Sequence, residues 1–277
     1  MLAAWESGEL DPDDEQANRY LTVLRWLWAS LGTCRPEWTS TTHTLVLLRD
    51  MGLDPASEQA QRAVRLVREN VRWENAGQAY FDGETEPCIN GAVVAVGAYF
   101  GQDVDRLVER LLSEQLLDGG WNCEAVNGSV RSSFHTTIAV LEGLLEYEQT
   151  GNGDQAVTAA RQRGEEYLLE RGLFRRLSTG EVVDEAYTRP SYPPRWHYDV
   201  LRGLDYFRRT GEKFEPRCTD ALLLVARKVQ PNGRWLQENA FPGLVHFEFD
   251  EGVGTPSAWN TMRALRVISW YNTRTVP

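Results

Sequence analysis

The sequence is poor in several things that would settle its class at once. No apolar run reaches the roughly 18 residues that a membrane-spanning helix needs. The opening MLAAWESGELDPDDE is acidic and shows neither the basic stretch nor the apolar stretch of a secretory leader, so the chain is expected in the cytoplasm. Basic residues are outnumbered, with 29 Lys and Arg against 40 Asp and Glu and a formal net charge of −11. With no basic stripe to meet phosphates, nucleic acid and anionic membrane surfaces are not expected partners. Four cysteines with no close CxxC pair do not make a disulfide framework, which leaves them as free thiols or metal ligands. Strand signals are weak as well. Only LVHFEFDEG, from Leu244, alternates briefly, as a short extended segment would.

What the chain does have is repetition. STTHTLVLLRDMG from Ser40, SSFHTTIAVLEGL from Ser132 and PRWHYDVLRGLDYF from Pro194 each place a His ahead of apolar residues at helical spacing. PCINGAVVAVGAYFG from Pro87 and TPSAWNTMRALRVISWY from Thr255 share the pattern without the His. Five such helices alternate with charge-rich amphipathic ones over 15–31, 57–70, 104–116, 155–169 and 217–229. The first group is bland, with Ala, Gly, Val and Leu nearly all round, which predicts an inner layer of helices within an outer, solvated one. The fold expected is therefore all-α, and nothing in composition marks a boundary. Residues 1–277 read as a single domain, with 1–37 supplying a lead-in and the first outer helix. Cys218 falls on an outer helix and Cys34 precedes a Pro in a loop, both structural positions. His246, beside Glu248 and Asp250, reads as loop packing.

Long loops precede the inner helices and carry Gly-Trp turns: Gln115-Leu-Leu-Asp-Gly-Gly-Trp121 and Gln230-Pro-Asn-Gly-Arg-Trp235. The Pro-rich stretch TRPSYPPRW from Thr188 is another such loop. Recurring in register between Trp38 and Trp270, these features resemble the α/α toroids of squalene cyclases and of protein prenyltransferase β subunits. The chain is also similar to short bacterial squalene cyclase-like proteins. The resemblance implies a toroid, or barrel, of about five to six helical hairpins around an apolar cavity that holds an isoprenoid. It gives Trp121 and Trp235 the role of clamping neighbouring hairpins. Trp196 and Trp259, at inner-helix starts, become candidate substrate-binding residues together with Phe134 and Tyr198.

A proton-initiated cyclase needs a carboxylic acid kept protonated by burial and hydrogen bonding. The cyclase signature Asp-x-Asp-Asp occurs once, as Asp11-Pro-Asp13-Asp14, but in an acidic lead-in where Asp is expected as a helix cap. Asp199 is the better candidate acid, beside His197 at the head of an inner helix. No Asp-Asp-x-x-Asp motif for magnesium and diphosphate is present.

Protein prenyltransferases hold zinc through Asp-x-Cys at one inner-helix start and a His in a Phe-His-Thr-like context at a later one. Here Glu86-Pro-Cys88 and Phe134-His135-Thr136 stand at those places, with Glu in place of Asp and a shorter separation. Independently of the resemblance, a helix N-terminus disfavours imidazolium and favours thiolate, and neutral imidazole with thiolate is a zinc donor set. Cys123, ahead of the same inner helix as His135, is able to replace Glu86. A thiol nucleophile, Cys88 or Cys123 with His135 as base, is a further reading. The function expected is that of a terpene cyclase- or prenyltransferase-like protein with an apolar, isoprenoid-like ligand and zinc as candidate cofactor. The alternative is a non-catalytic toroid that binds a ligand or a partner.

Overall fold

The computed structural model describes residues 37–73 and 77–275; the Asp11-Asp14 motif, Cys34 and the outer helix expected over 15–31 lie outside them. Nine α-helices occur among the described residues: α1 (Thr41–Asp50), α2 (Glu58–Asn70), α3 (Pro87–Tyr99), α4 (Asp105–Ser113), α5 (Phe134–Gln149), α6 (Gln155–Leu169), α7 (Val200–Arg209), α8 (Thr219–Ala226) and α9 (Ala258–Thr275). The only ladder among those residues joins β1 (Trp235–Leu236) to β2 (Pro256–Ser257), antiparallel, with Trp235 opposite Ser257. The segment from Leu244, expected to be extended, is an irregular loop between these two strands. The fold is thus mostly helical, and no helix among the described residues is long and apolar enough to cross a membrane.

Local chemistry sets the helix ends. Ser57, Ser133, Asp154 and Asp199 each accept a hydrogen bond from the backbone N–H three residues on, satisfying a donor that the helix itself cannot. Pro87 opens α3, where its missing N–H costs nothing. The helices α1, α3, α5 and α7 stop alike, each on a glycine of positive φ, at Gly52, Gly101, Gly151 and Gly211. This shared ending is the repeat expressed in backbone geometry.

Burial separates two groups. In α2 and α4 only a stripe is covered, Ala60, Ala63, Val64 and Val67 in one and Leu107, Val108 and Leu111 in the other. In α3 and α5 nearly every residue past the first turn is buried. These two helices pack backbone against backbone at Gly91 and Gly143. A Cβ on Gly91 would stand 2.5 Å from the Ala139 carbonyl oxygen, and one on Gly143 would strike the Gly91 carbonyl.

The Gly-Trp turns fasten neighbouring helices in the same way twice. The Trp121 indole N–H donates to the Leu111 carbonyl at 2.7 Å, and the Trp235 indole to that of Val225, also at 2.7 Å. Each Trp backbone N–H then donates to a threonine hydroxyl of the next odd-numbered helix, Thr137 in α5 and Thr261 in α9. Both indoles are buried, so each satisfies a carbonyl at the end of one helix while filling the gap to the next.

Candidate functional site

One cavity of about 330 Å³ is walled by residues of all five odd-numbered helices together with the loop over 192–195. α1 supplies His43, Val46, Leu47, Arg49 and Asp50; α3 supplies Tyr99; α5 supplies Glu142 and Glu146. The rest of the wall comes from α7, with Arg202, Asp205, Arg208 and Arg209, and from α9, with Trp259, Met262, Arg263 and Arg266. The apolar cavity that the resemblance implies is not what the wall shows. Seven arginines, those named and Arg195, face four carboxylates, a formal balance of +3, with Arg266 and Asp50 exposed at the rim.

Most of these charges are paired. Arg202 holds Glu142 through two parallel bonds, Nε to Oε1 at 2.9 Å and Nη2 to Oε2 at 2.7 Å. Burial pushes the Glu142 carboxyl up, but the guanidinium groups of Arg202, Arg49 and Arg209 together more than offset it, and the net direction is down. Arg49 pairs with Asp50 at 2.7 Å, Arg208 with Asp205 at 2.8 Å and Arg209 with Glu146 at 3.0 Å. Arg263 lies 4.0 Å from Asp205 and donates to the Ser191 carbonyl. Arg195 and Arg266 have no carboxylate within ion-pair distance among the described residues.

Arg195 is held in the left-handed region, with φ 58°, a conformation that a non-glycine residue adopts only when its surroundings require it. Burial draws its pKa down to about 10, against the opposing pull of Tyr192 and Glu248, so it is still a cation at neutral pH. Its guanidinium also lies 5.1 Å from the Trp38 ring. The aromatic part of the wall is Tyr192 stacked flat on Trp259, ring centres 4.5 Å apart.

The residues singled out in the sequence fall in several places. Trp259 lines the cavity. Trp196 does not; it is 48% exposed and stacked on His197. Phe134 and Tyr198 are core residues, Phe134 packed among Tyr167, Tyr187 and Tyr198, and the Tyr198 hydroxyl donating to the Leu173 carbonyl. Asp199 is 2% exposed and serves as the N-cap of α7: one oxygen accepts from the Arg202 N–H, the other from the Ser191 N–H and hydroxyl. α7 therefore begins at Val200, and His197 stands before it, sandwiched between the Trp196 and Phe241 rings.

His135 opens α5 but turns toward Tyr187, Trp196 and His197, and its Nδ1 accepts the Tyr198 N–H at 2.8 Å. Burial first, then the Arg202 charge, brings its pKa down to about 4, so the ring is neutral at physiological pH. His197 is brought to about 4 by burial, His135 and Arg202. His246 reaches the same value through burial and Arg195, and its Nε2 is 2.9 Å from the Thr44 hydroxyl.

Glu86, Cys88 and Cys123 do come together, their ligand atoms all within 4.8 Å of one another. A metal held here would draw its ligands from these three side chains. Bonds of about 2.3 Å in a tetrahedron hold two thiolates about 3.8 Å apart, whereas the two sulfurs here share a hydrogen bond at 3.0 Å. The fourth expected ligand, His135, is not in the group. Cys218 is buried in the core, and burial pushes its thiol up to about 12.

Arg195, Arg202, Glu142 and Arg263 were not legible as site residues in the sequence. For Arg202, Glu142 and Arg263 the available signal was charge on the inner helices, and for Arg195, in a loop, there was none. In comparison with known proteins, no family model matches the chain and no curated protein matches it.

Proposed function

We propose that the protein is an α/α toroid that binds a small amphiphilic anion, an anionic head on an apolar body, in its central cavity. The observation that carries this reading is the +3 balance of the cavity wall in a chain whose net charge is −11. Arg195 is half-buried in this wall with no carboxylate at ion-pair distance, a placement that costs free energy unless an anion meets it, while Arg266 is exposed and adds a screened positive charge at the rim. The toroid itself is supported by the contribution of all five odd-numbered helices to one wall and by the single buried stripes of α2 and α4.

Val46, Leu47, Met262 and the Tyr192–Trp259 stack supply the apolar part of the wall. An isoprenoid bearing a phosphate or diphosphate has both halves of the required chemistry. Arginine would take the neutralising role that a magnesium-binding carboxylate motif has elsewhere, since planar guanidinium groups meet phosphate oxygens in pairs. The cavity stands at the small end of the roughly 300–1,000 Å³ usual for ligand sites, so the ligand is small. The reading is of binding rather than catalysis, because Asp199 is engaged as a helix cap and His197 is enclosed between aromatic rings. We place the protein in the cytoplasm on the character of its sequence.

Thermal shift with geranyl diphosphate, inorganic diphosphate and geraniol tests this. Geranyl diphosphate is expected to raise the Tm by the largest amount and geraniol by none. Replacing Arg195 or Arg266 by Gln is expected to weaken geranyl diphosphate binding about tenfold, the equivalent of one charge-assisted hydrogen bond. Equal shifts with geraniol and geranyl diphosphate would sink the anionic head, and no shift with any of the three would sink the ligand site.

A further inference from the structure

Away from the cavity wall, the structure brings two cysteines together from distant parts of the chain. Cys88 lies in the first turn of α3, and Cys123 begins the short helical turn Cys123–Asn127 that follows the Trp121 clamp. Their sulfurs are 3.0 Å apart, so an approach of about 1 Å would complete a disulfide of about 2.05 Å. Both partners are anchored. Cys88 is built into the start of α3, and the Cys123 backbone N–H donates to the Thr136 hydroxyl at 3.4 Å. Both thiols are part-exposed, within reach of a dissolved reagent, while Cys218 is buried.

We propose that Cys88 and Cys123 form a reversible dithiol–disulfide pair, a modification site for low-molecular-weight disulfides, rather than the zinc site that the resemblance implies. The inference is independent of the cavity reading. In the first step the Cys123 thiolate, with the Thr136 hydroxyl 3.4 Å from its sulfur, attacks one sulfur of the oxidant. The oxidant S–S bond breaks, one thiolate leaves and takes a proton from water, and a mixed disulfide forms on Cys123. Cys88 then gives up its proton, and its thiolate attacks the Cys123 sulfur and expels the second thiolate. One S–S bond replaces another. The two cysteines lose two protons and two electrons, and the oxidant becomes two thiols. The new bond ties the start of α3 to the turn that leads into α5. By closing a long loop in the unfolded chain it is expected to raise the Tm by about 5–10 °C.

The test uses the full chain, reduced and then equilibrated across ratios of reduced to oxidised glutathione. Alkylation and intact mass read the free thiols, peptide mapping reads the bond, and metal content is measured on the same samples. The expected result is that two alkylatable thiols vanish together, that the mapped bond joins Cys88 to Cys123, and that dithiothreitol restores both thiols. Cys88→Ser and Cys123→Ser each abolish the internal bond and the rise in Tm, while Cys218→Ser leaves both intact. Should either single variant fail to fold, the wild-type peptide map decides alone. A bond from Cys88 or Cys123 to Cys34 or Cys218 overturns the proposal, as does a glutathione adduct that persists on Cys123. So does about one zinc per chain that shields both thiols from alkylation until a chelator removes it.

Discussion

The helix α5 presents two unlike surfaces, and the contrast between them separates how the protein holds together from what it holds. Toward α3 it offers Ala139 and Gly143, so close to Gly91 that no side chain fits between the backbones. Toward the cavity it offers Glu142 and Glu146, which are held by Arg202 and Arg209. The first surface gains from removing apolar area from water and from dense packing, and it depends on what is absent, a Cβ. The second depends on matched charge in a poorly solvated place. It stays favourable only while every partner is there.

Breaking the charged surface has the largest expected effect. Arg202→Ala leaves Glu142 largely buried without its two-bond partner, and it also removes donors from the carbonyls of Arg195 and His197. Loss of one partner of a buried pair costs about 3–5 kcal/mol. Denaturant unfolding should show that loss for Arg202→Ala, and the double variant Glu142→Leu with Arg202→Leu should recover at least half of it. If the double variant is as unstable as the single one, Arg202 acts through its carbonyl contacts and not through the pair.

Breaking the glycine surface comes next. In Gly143→Ala the new methyl meets the Gly91 carbonyl, which is backbone and cannot rotate away, so α3 and α5 must separate. Overpacking of this kind costs about 1–3 kcal/mol. Gly151→Ala serves as the comparison, since nothing lies within 4 Å of its Cβ position and only its φ of 86° opposes the change. Denaturant midpoints should fall further for Gly143→Ala than for Gly151→Ala. The reverse order would mean that backbone conformation, not the α3–α5 seam, sets the cost.

These two surfaces were not equally legible in the sequence. Apolar periodicity placed these helices: α6 matches its expected span over 155–169, and α2 matches to within a residue. Periodicity says that a face is buried, but not against what. Asp199 and His197 were expected at the head of a helix, yet the Asp199 side chain caps α7, so the helix begins one residue later and His197 falls outside it. Phe134 and Tyr198 were expected among the substrate contacts. Here they meet in an aromatic cluster with Tyr187, to which a distant loop contributes. The charged cavity was the least legible feature. Its arginines come from four segments, 49, 195, 202–209 and 263–266, and only the fold brings them to one wall.

The smallest expected effect links the two ends of the charged region. His135, His197 and His246 have pKa values near 4 in the fold, against 6.5 for an ordinary histidine, with burial as the first cause. Between those two values the unfolded chain binds more protons than the folded one. Stability from these groups is therefore fully present above pH 6.5 and is lost as pH falls toward 4. All three rings are part-exposed, so solvent screening keeps each contribution to about 1 kcal/mol or less. The Arg202 charge acts on His135 and His197, whereas the charge acting on His246 is that of Arg195. In the Glu142→Leu, Arg202→Leu double variant, NMR titration of the ring protons should show His135 and His197 moving up toward 6.5 while His246 stays. If all three move together, the cause is a general loosening of the fold. If none moves, burial alone holds these rings neutral, and the charge of the cavity does not reach the histidine end of α5.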